Sequence, residues 1–242
     1  MDQRFEREAM LMGVDAVERL HGSRVALFGV GGVGSYAAEA LARCGVGHIE
    51  LVDNDRVSRS NINRQLCALE STVGRPKVEV VAARLRDIYP DVQVAERQIF
   101  VLPETIGELD FSTYDYVIDA IDTVAGKIAI AVAAREAGVP MISCMGTGNK
   151  WDPTALQVTD LAKTDTCPLA RVMRRELKAR GVLHLPVIYS RETAATPQIQ
   201  RTTEGGKPVP GSLAFVPSVA GLIAAGEAVK TLIGKGKERD GE

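Results

Sequence analysis

Residues 25–34 read VALFGVGGVG, an apolar run that ends in Gly29, Gly31, Gly32 and Gly34. Such a run, entering a helix, brings backbone N–H groups and a helix N-terminus against a phosphate. The next apolar run, HIELVD, closes on Asp53, about where an acidic side chain takes a ribose hydroxyl. So far a dinucleotide and an oxidoreductase fit. The stretch DNDRVSRSNINRQ, residues 53–65, shifts the balance, because it gathers Asp53, Asp55, Asn61, Arg64 and Gln65 in one segment. Lys77 follows in VGRPK. A dinucleotide pyrophosphate needs little positive charge beyond backbone dipoles. A triphosphate that is cleaved carries more charge and builds it on the leaving oxygens, so it calls for Arg, Lys and a divalent ion. Arg64 and Lys77 are placed to supply the cations. Asp122, at the mouth of YVIDAID, is placed to hold Mg²⁺. No Walker A loop is written here.

These residues must be held by a particular set of elements. Residues 24–30 predict a buried strand, 34–44 a helix packed on it, and 48–53 a second strand. That is the strand–turn–helix–strand context the glycines require. RPKVEVVAARLRDIYP predicts a helix between Pro76 and Pro90. DVQVAERQI alternates as a strand, and DYVIDAID, VAGKIAIAVAAREAG and VPMISCM predict strand, helix and strand. The order β-α-β-α-β-(α)-β-α-β, with a helix expected in the third crossover, implies an α/β fold. Its sheet is doubly wound and mostly parallel. Residues 1–150 form this Rossmann-like core. Residues 151–242 read as a small C-terminal α+β extension of the same domain. It contains strands at ALQVTDLA and LPVIYS, a helix at CPLARVMRRELKAR, and a Thr-, Pro- and Gly-rich loop at 192–211 expected to be mobile. The segment SLAFVPSVAGLIAAGEAVKTLIGK is interrupted by Pro217, Glu227 and Lys230, so it reads as a buried helix rather than a membrane span. The tail GKGKERDGE is expected to fray.

The bulk properties exclude several classes. A chain of 242 residues buries a core without staples, and a formal charge of -2 excludes a polycation, so any nucleic acid must meet a local patch. Cys44, Cys67, Cys144 and Cys167 form no C-x-x-C pair, which argues against a zinc knuckle or redox dithiol. It also suits a reducing, cytoplasmic setting. The N-terminus MDQRFEREAM has no signal-peptide core.

GVGGVGS, LVDNDRVSRSNINRQ, VGRPK and DAIDT together resemble the adenylation core of the ThiF/MoeB/HesA family, the prokaryotic relatives of ubiquitin-activating enzymes. The likeness runs from about Arg4 to Gly146. It implies that ATP adenylates a carboxylate. It also implies that Gly32 lines the nucleotide, that Asp53 binds the ribose, and that Ser60, Asn61, Asn63 and Arg64 contact nucleotide and phosphates. Lys77 would meet the phosphates, and Asp122 with Thr123 would complete the metal end. RFEREAMLMG resembles the family's opening helix, where Arg7 would match an arginine that reaches the partner's ATP in a homodimer. That match is looser, since Glu8 stands where the family has Gln.

The zinc-binding cysteine pairs of the family's sulfur-carrier activators are missing, so no structural zinc is expected. DPTALQVTDLAKT and TCPLARVMRREL resemble a zinc-free branch, the tRNA threonylcarbamoyladenosine dehydratases. The implied partner is an ANN-decoding tRNA that carries threonylcarbamoyladenosine; a cysteine desulfurase or sulfur acceptor is a further partner, with no DNA and no membrane. The implied reaction is cyclisation beside the anticodon through an acyl-adenylate, which needs no protein nucleophile. Arg171, Arg174, Arg175 and Lys178 recur along one helical face, opposite Leu169, Val172, Met173 and Leu177. A solvated face and a phosphate-tracking tRNA patch both fit. Two other functions stay open: an adenylyltransferase for the C-terminal glycine of a small sulfur carrier, and a nucleotide sensor without turnover.

Overall fold

The computed structural model describes residues 2–203, 205–206 and 208–234. Two short helices, α1 (Glu6–Met12) and α2 (Val14–Gly22), lead into β1 (Arg24–Phe28). The chain then alternates through α3 (Gly34–Arg43), β2 (His48–Val52), α4 (Lys77–Ile88) and β3 (Gln93–Arg97). It crosses back to β4 (Tyr116–Asp119), α5 (Val124–Glu136) and β5 (Met141–Cys144). β6 (Leu156–Asp160), α6 (Pro168–Ala179), β7 (Pro186–Ser190) and the long α7 (Phe215–Leu232) follow. The strands make one sheet in the order β3-β2-β1-β4-β5-β7-β6, parallel except for the β6–β7 pair. This is the doubly wound α/β arrangement expected from the motif order.

β1 shows why the sheet is covered on both faces. Val25 and Leu27 enter the core shared with α3, α4 and α7, while Ala26 and Phe28 enter the core shared with α5 and α6. The crossover from β3 to β4 departs from expectation. It holds only short 3-10 turns at Ile106–Glu108 and Phe111–Thr113 in place of a helix. Pro103 and Gly107 interrupt it, and Asp110 and Thr105 accept or donate local bonds that close turns instead. The tail beyond Gly234 lies outside the described residues.

The C-terminal part does not stand apart from the nucleotide half. β7 pairs with β5, and α7 returns to the first face to pack along α3. Small residues make that contact close: Ala220, Gly221, Ala224 and Ala228 on α7 meet Ala37, Ala38 and Leu41 on α3. At Gly221 a Cβ would lie 2.1 Å from the Val33 carbonyl oxygen, at the entrance to α3. α7 is apolar and long enough for a membrane span, and its burial in this core explains that composition. Pro217 sits in its first turn, where a proline costs no helical bond.

This contact is testable with two glycines on one helix. Gly221→Ala is expected to overpack the α3–α7 seam and cost about 1–3 kcal/mol, read as a fall of several degrees in Tm. Gly226→Ala, where a Cβ meets nothing within 4 Å, is expected to raise Tm through helix propensity. Equal shifts of the two variants in thermal melts would show that the seam is not tight.

Candidate active site

β1 and β4 are neighbours whose helices lie on opposite faces of the sheet. Their carboxyl ends therefore diverge and open a crevice of about 330 Å³ at the switch point. The glycine turn forms one wall. Gly29 takes a positive φ of 85°, and its N–H donates to the Val52 carbonyl at 2.7 Å. Gly34 opens α3 so close beneath the turn that a Cβ there would lie 1.7 Å from the Gly29 oxygen. Gly31 and Gly32 then line the crevice at the N-terminal end of α3, where helical N–H groups lack intrahelical acceptors. Ser35 secures the turn from inside: its hydroxyl donates to the Gly31 carbonyl at 2.6 Å and accepts from the Leu66 N–H at 3.1 Å.

Asp53 holds the turn to the second strand. Its Oδ2 accepts from the Val30 N–H and its Oδ1 from the Asp55 N–H, each at 2.8 Å. Burial raises its pKa, opposed by the Lys77 charge and by those two N–H groups. Asp53 is thus a turn clamp as well as a crevice residue, while the more exposed Asp55 carboxylate lies at the rim.

The cations lie opposite. Lys77 is the first residue of α4, is 4% exposed, and places Nζ 2.7 Å from Asp55 Oδ2. Buried at the positive end of a helix dipole, this ammonium is compensated by the Asp55 carboxylate and lies near Asp53. Arg64 is the second cation of the crevice. Its Nη1 donates to the Ser60 carbonyl at 2.9 Å and to Asn63 Oδ1 at 2.8 Å, with no carboxylate bonded to it among the described residues. Burial lowers the Arg64 pKa, yet the guanidinium stays charged, so an approaching anion would meet a cation that has no carboxylate bonded to it among the described residues. The segment that carries it is closed by a capping turn in which Asn61 Oδ1 accepts from the Ser58 N–H at 3.1 Å.

The structure brings Gly29, Gly31, Gly32, Asp53, Asp55, Asn61, Arg64, Gln65, Lys77, Asp122 and Thr123 to the crevice. Gly34, Ser60 and Asn63 do not line it: Gly34 is buried beneath the turn, while Ser60 and Asn63 are exposed, and Asn63 Nδ2 donates to the Ser212 carbonyl at 2.9 Å. Arg7 lies exposed on α1 and does not line its own chain's crevice. Asp122 is exposed, with no bonded partner among the described residues. Thr123 rather than Asp122 occupies the N-cap of α5, without a side-chain capping bond. No group of three or more His, Cys, Asp and Glu is arranged to hold a metal among the described residues. A lone carboxylate still suits Mg²⁺ held chiefly by phosphates and water.

Sequence reading missed two parts of the site. One is a fully buried cluster under the β4 end. Lys127 Nζ donates to Asp119 Oδ1 and the Ile121 carbonyl at 3.0 Å each, and to the Cys144 carbonyl at 2.8 Å. The Ser143 hydroxyl donates to Asp119 Oδ2 at 2.5 Å. The cluster ties β4, the 120–123 loop and β5 together and so fixes Asp122. A lysine inside the apolar helix VAGKIAIAVAA was the signal for it. The other part comes from far along the chain. Phe100, Thr147, Ser212 and Pro217 complete the lining, with Pro217 over Gly32.

The basic face of α6 is narrower than its spacing implies. Arg174 turns under the helix, where Nη1 donates to the Thr164 carbonyl at 2.6 Å and to Thr164 Oγ1 at 3.1 Å. Arg175 pairs with Glu176 at 2.8 Å. Arg171 and Lys178 remain exposed without such partners among the described residues. Cys167 is the buried N-cap of that helix, ahead of Pro168. Burial pushes the Cys67 thiol up to about 11 and Cys144 to about 12, so neither is a ready nucleophile.

A model of the ThiF family matches residues 5–241. A tRNA threonylcarbamoyladenosine dehydratase of Bacillus subtilis (strain 168) is 44% identical over 243 residues, 96% of this chain and 96% of that protein. The crystal structure of the Escherichia coli tRNA N6-threonylcarbamoyladenosine dehydratase TcdA in complex with ATP superposes with a TM-score of 0.87. It is 38% identical and covers 96% of this chain and 95% of that one. The molybdopterin-synthase adenylyltransferase of Escherichia coli (strain K12) is 31% identical over 241 residues, 99% of this chain and 85% of that protein.

The buried cluster generates a stability prediction. Lys127→Met leaves Asp119 unpaired at 0% exposure and is expected to cost about 3–5 kcal/mol in denaturant unfolding. Adding Asp119→Leu should recover part of that loss. A double variant as unstable as the sum of the singles would remove the pair from this role.

Proposed function

The chain belongs to the ThiF family, and on that footing we propose that it is an ATP-dependent tRNA threonylcarbamoyladenosine dehydratase. The observation that carries this reading is the end-to-end likeness to such a dehydratase, 44% over 96% of both chains. The crevice supplies the chemistry. A free carboxylate is a poor electrophile. Its attack on the α-phosphate of ATP forms an acyl-adenylate and releases pyrophosphate. A ureido oxygen or nitrogen of the same side chain then attacks the activated carbonyl, closes a five-membered ring and expels AMP, with net loss of water. Ring closure is intramolecular, so positioning replaces a protein nucleophile.

In this reading the N–H groups at Gly31 and Gly32 and the α3 N-terminus receive the phosphates. Lys77 and Arg64 neutralise the charge that grows on the leaving pyrophosphate. Asp53 and Asp55 take the ribose side. Asp122, with Thr123, would hold Mg²⁺, which when bound stabilises charge on the phosphoryl oxygens. A homodimer would bring Arg7 of one subunit toward the other's ATP. Arg171 and Lys178 would supply phosphate-tracking charge for tRNA, and a tRNA substrate implies a cytoplasmic enzyme. A sulfur-carrier adenylyltransferase shares the first half-reaction, and the likeness to the molybdopterin-synthase adenylyltransferase keeps it as the second reading.

ATP–pyrophosphate exchange separates the two. Exchange is expected with tRNA that carries the open nucleoside. Exchange only with a carrier protein would establish the second reading, and none with either would leave a nucleotide sensor. Lys77→Met and Asp122→Asn are each expected to lower turnover about 100–1,000-fold with little change in Tm; a normal rate in either would displace it from the site. Arg171→Glu combined with Lys178→Glu should weaken tRNA binding and flatten its dependence on salt concentration. An unchanged slope would assign both charges to solvent.

A further inference from the structure

The crevice does not end at Asp122. A second chamber of about 220 Å³ shares Arg64, Asp122 and Ser212 with it and continues past Met145, Gly148 and Pro210. Beyond Ser212 opens a third hollow of about 410 Å³, walled by Asn149, Trp151, Pro197, Ile199 and Leu213. Ser212 borders all three, so the glycine turn, the Asp122 end and an outer apolar hollow adjoin around one residue.

That hollow is built rather than incidental. Asn149 takes a left-handed φ of 56°, a conformation that costs energy for a residue with a side chain. It joins two segments: its Oδ1 accepts from the Gly211 N–H and its own N–H donates to the Gly211 carbonyl, both at 2.7 Å. Its carbonyl accepts from the Ala195 N–H at 2.8 Å. The Trp151 N–H donates to the Glu192 carboxylate at 2.9 Å, and the Asp152 N–H donates to the same group at 2.9 Å. The backbone of Trp151 is therefore pinned while its side chain stays outside the core, 64% exposed, beside Ile199 at 76%. No ring contact holds the indole among the described residues. Folding gains little from an indole so placed, whereas an unstacked base gains an apolar face.

We propose that Trp151 is the stacking platform for the adenine ring of the substrate nucleoside. The base would lie in the outer hollow against Trp151 and Ile199. Its N6 carboxylate arm would pass through the second chamber to reach Arg64 and Asp122. This rests on the tRNA reading above and extends it, because neither charge nor the ATP residues choose where the base sits. Splayed anticodon-loop bases are bound by aromatic stacking of this kind.

Trp151 is the only tryptophan of the chain, which gives a direct signal. Intrinsic fluorescence of the full chain is expected to quench saturably when titrated with an anticodon stem–loop that carries threonylcarbamoyladenosine. In steady-state cyclisation, W151A is expected to raise the KM for modified tRNA about 5–150-fold. It should leave kcat within about twofold, and the ATP affinity and Tm near wild type. W151F should restore most of the affinity, which a loss of mere local structure would not predict. Wild-type turnover with no quench at saturating stem–loop, or W151A with a wild-type KM, overturns the platform and leaves the dehydratase reading standing. A wild type that cannot cyclise the modified tRNA overturns both. Quenching by a carrier protein's C-terminal peptide and not by the stem–loop assigns the hollow to the other substrate.

Discussion

A lysine with no exposure, Lys127, holds the site together from below. Its ammonium satisfies Asp119 and two carbonyls where β4 and β5 end, and Ser143 completes the aspartate. Two buried charges offset their desolvation cost only when paired and fully bonded, so this geometry leaves little freedom. The loop that follows β4 therefore leaves the sheet in one direction. That direction carries Asp122 across the crevice from the glycine turn. Without it, the divergence of β1 and β4 would open a gap with no fixed chemistry on its far wall.

On the near wall positive charge is set out for an anion, although the crevice as a whole carries three carboxylates, Asp53, Asp55 and Asp122, against Lys77 and Arg64. Lys77 is buried at the start of α4, and Arg64 is half-buried against carbonyl and amide oxygens. Among the described residues only Asp55 pairs with the lysine, and the Asp53 carboxylate is engaged by two backbone N–H groups. Helix N-termini point the same way, because α3 and α4 both begin at the crevice. Lys77 is compensated by Asp55, so Arg64 is the cation left for an incoming anion.

The C-terminal part is a structural member of this site. α7 lies against α3 through glycine and alanine, which lets Pro217 reach over Gly32 and brings Ser212 to the rim. The same chain return forms the walls of the outer hollow, where Asn149 ties Gly211 and Ala195 to the loop after β5. The glycine turn, the Asp122 end and the outer hollow thus adjoin around Ser212, held there by a helix that follows every strand of the sheet in the chain.

The sequence by itself determined the order of elements, the parallel sheet, the glycine turn and the acidic and basic residues around it. These depend on local periodicity and on glycine at positions where a Cβ has no room, as at Gly34, so residue types suffice to show them. It misjudged the crossover after β3, where Pro103 and Gly107 leave only short turns, and the basic face of α6, where Arg174 serves carbonyls beneath the helix. Which neighbours a charge finds is a three-dimensional fact, and helical spacing alone does not report it. Only the tertiary structure decided that Lys127 pairs with Asp119, that Pro217 covers Gly32, and that Trp151 borders the hollow beyond Ser212. Each joins residues that local preference does not bring together, and packing sets such contacts.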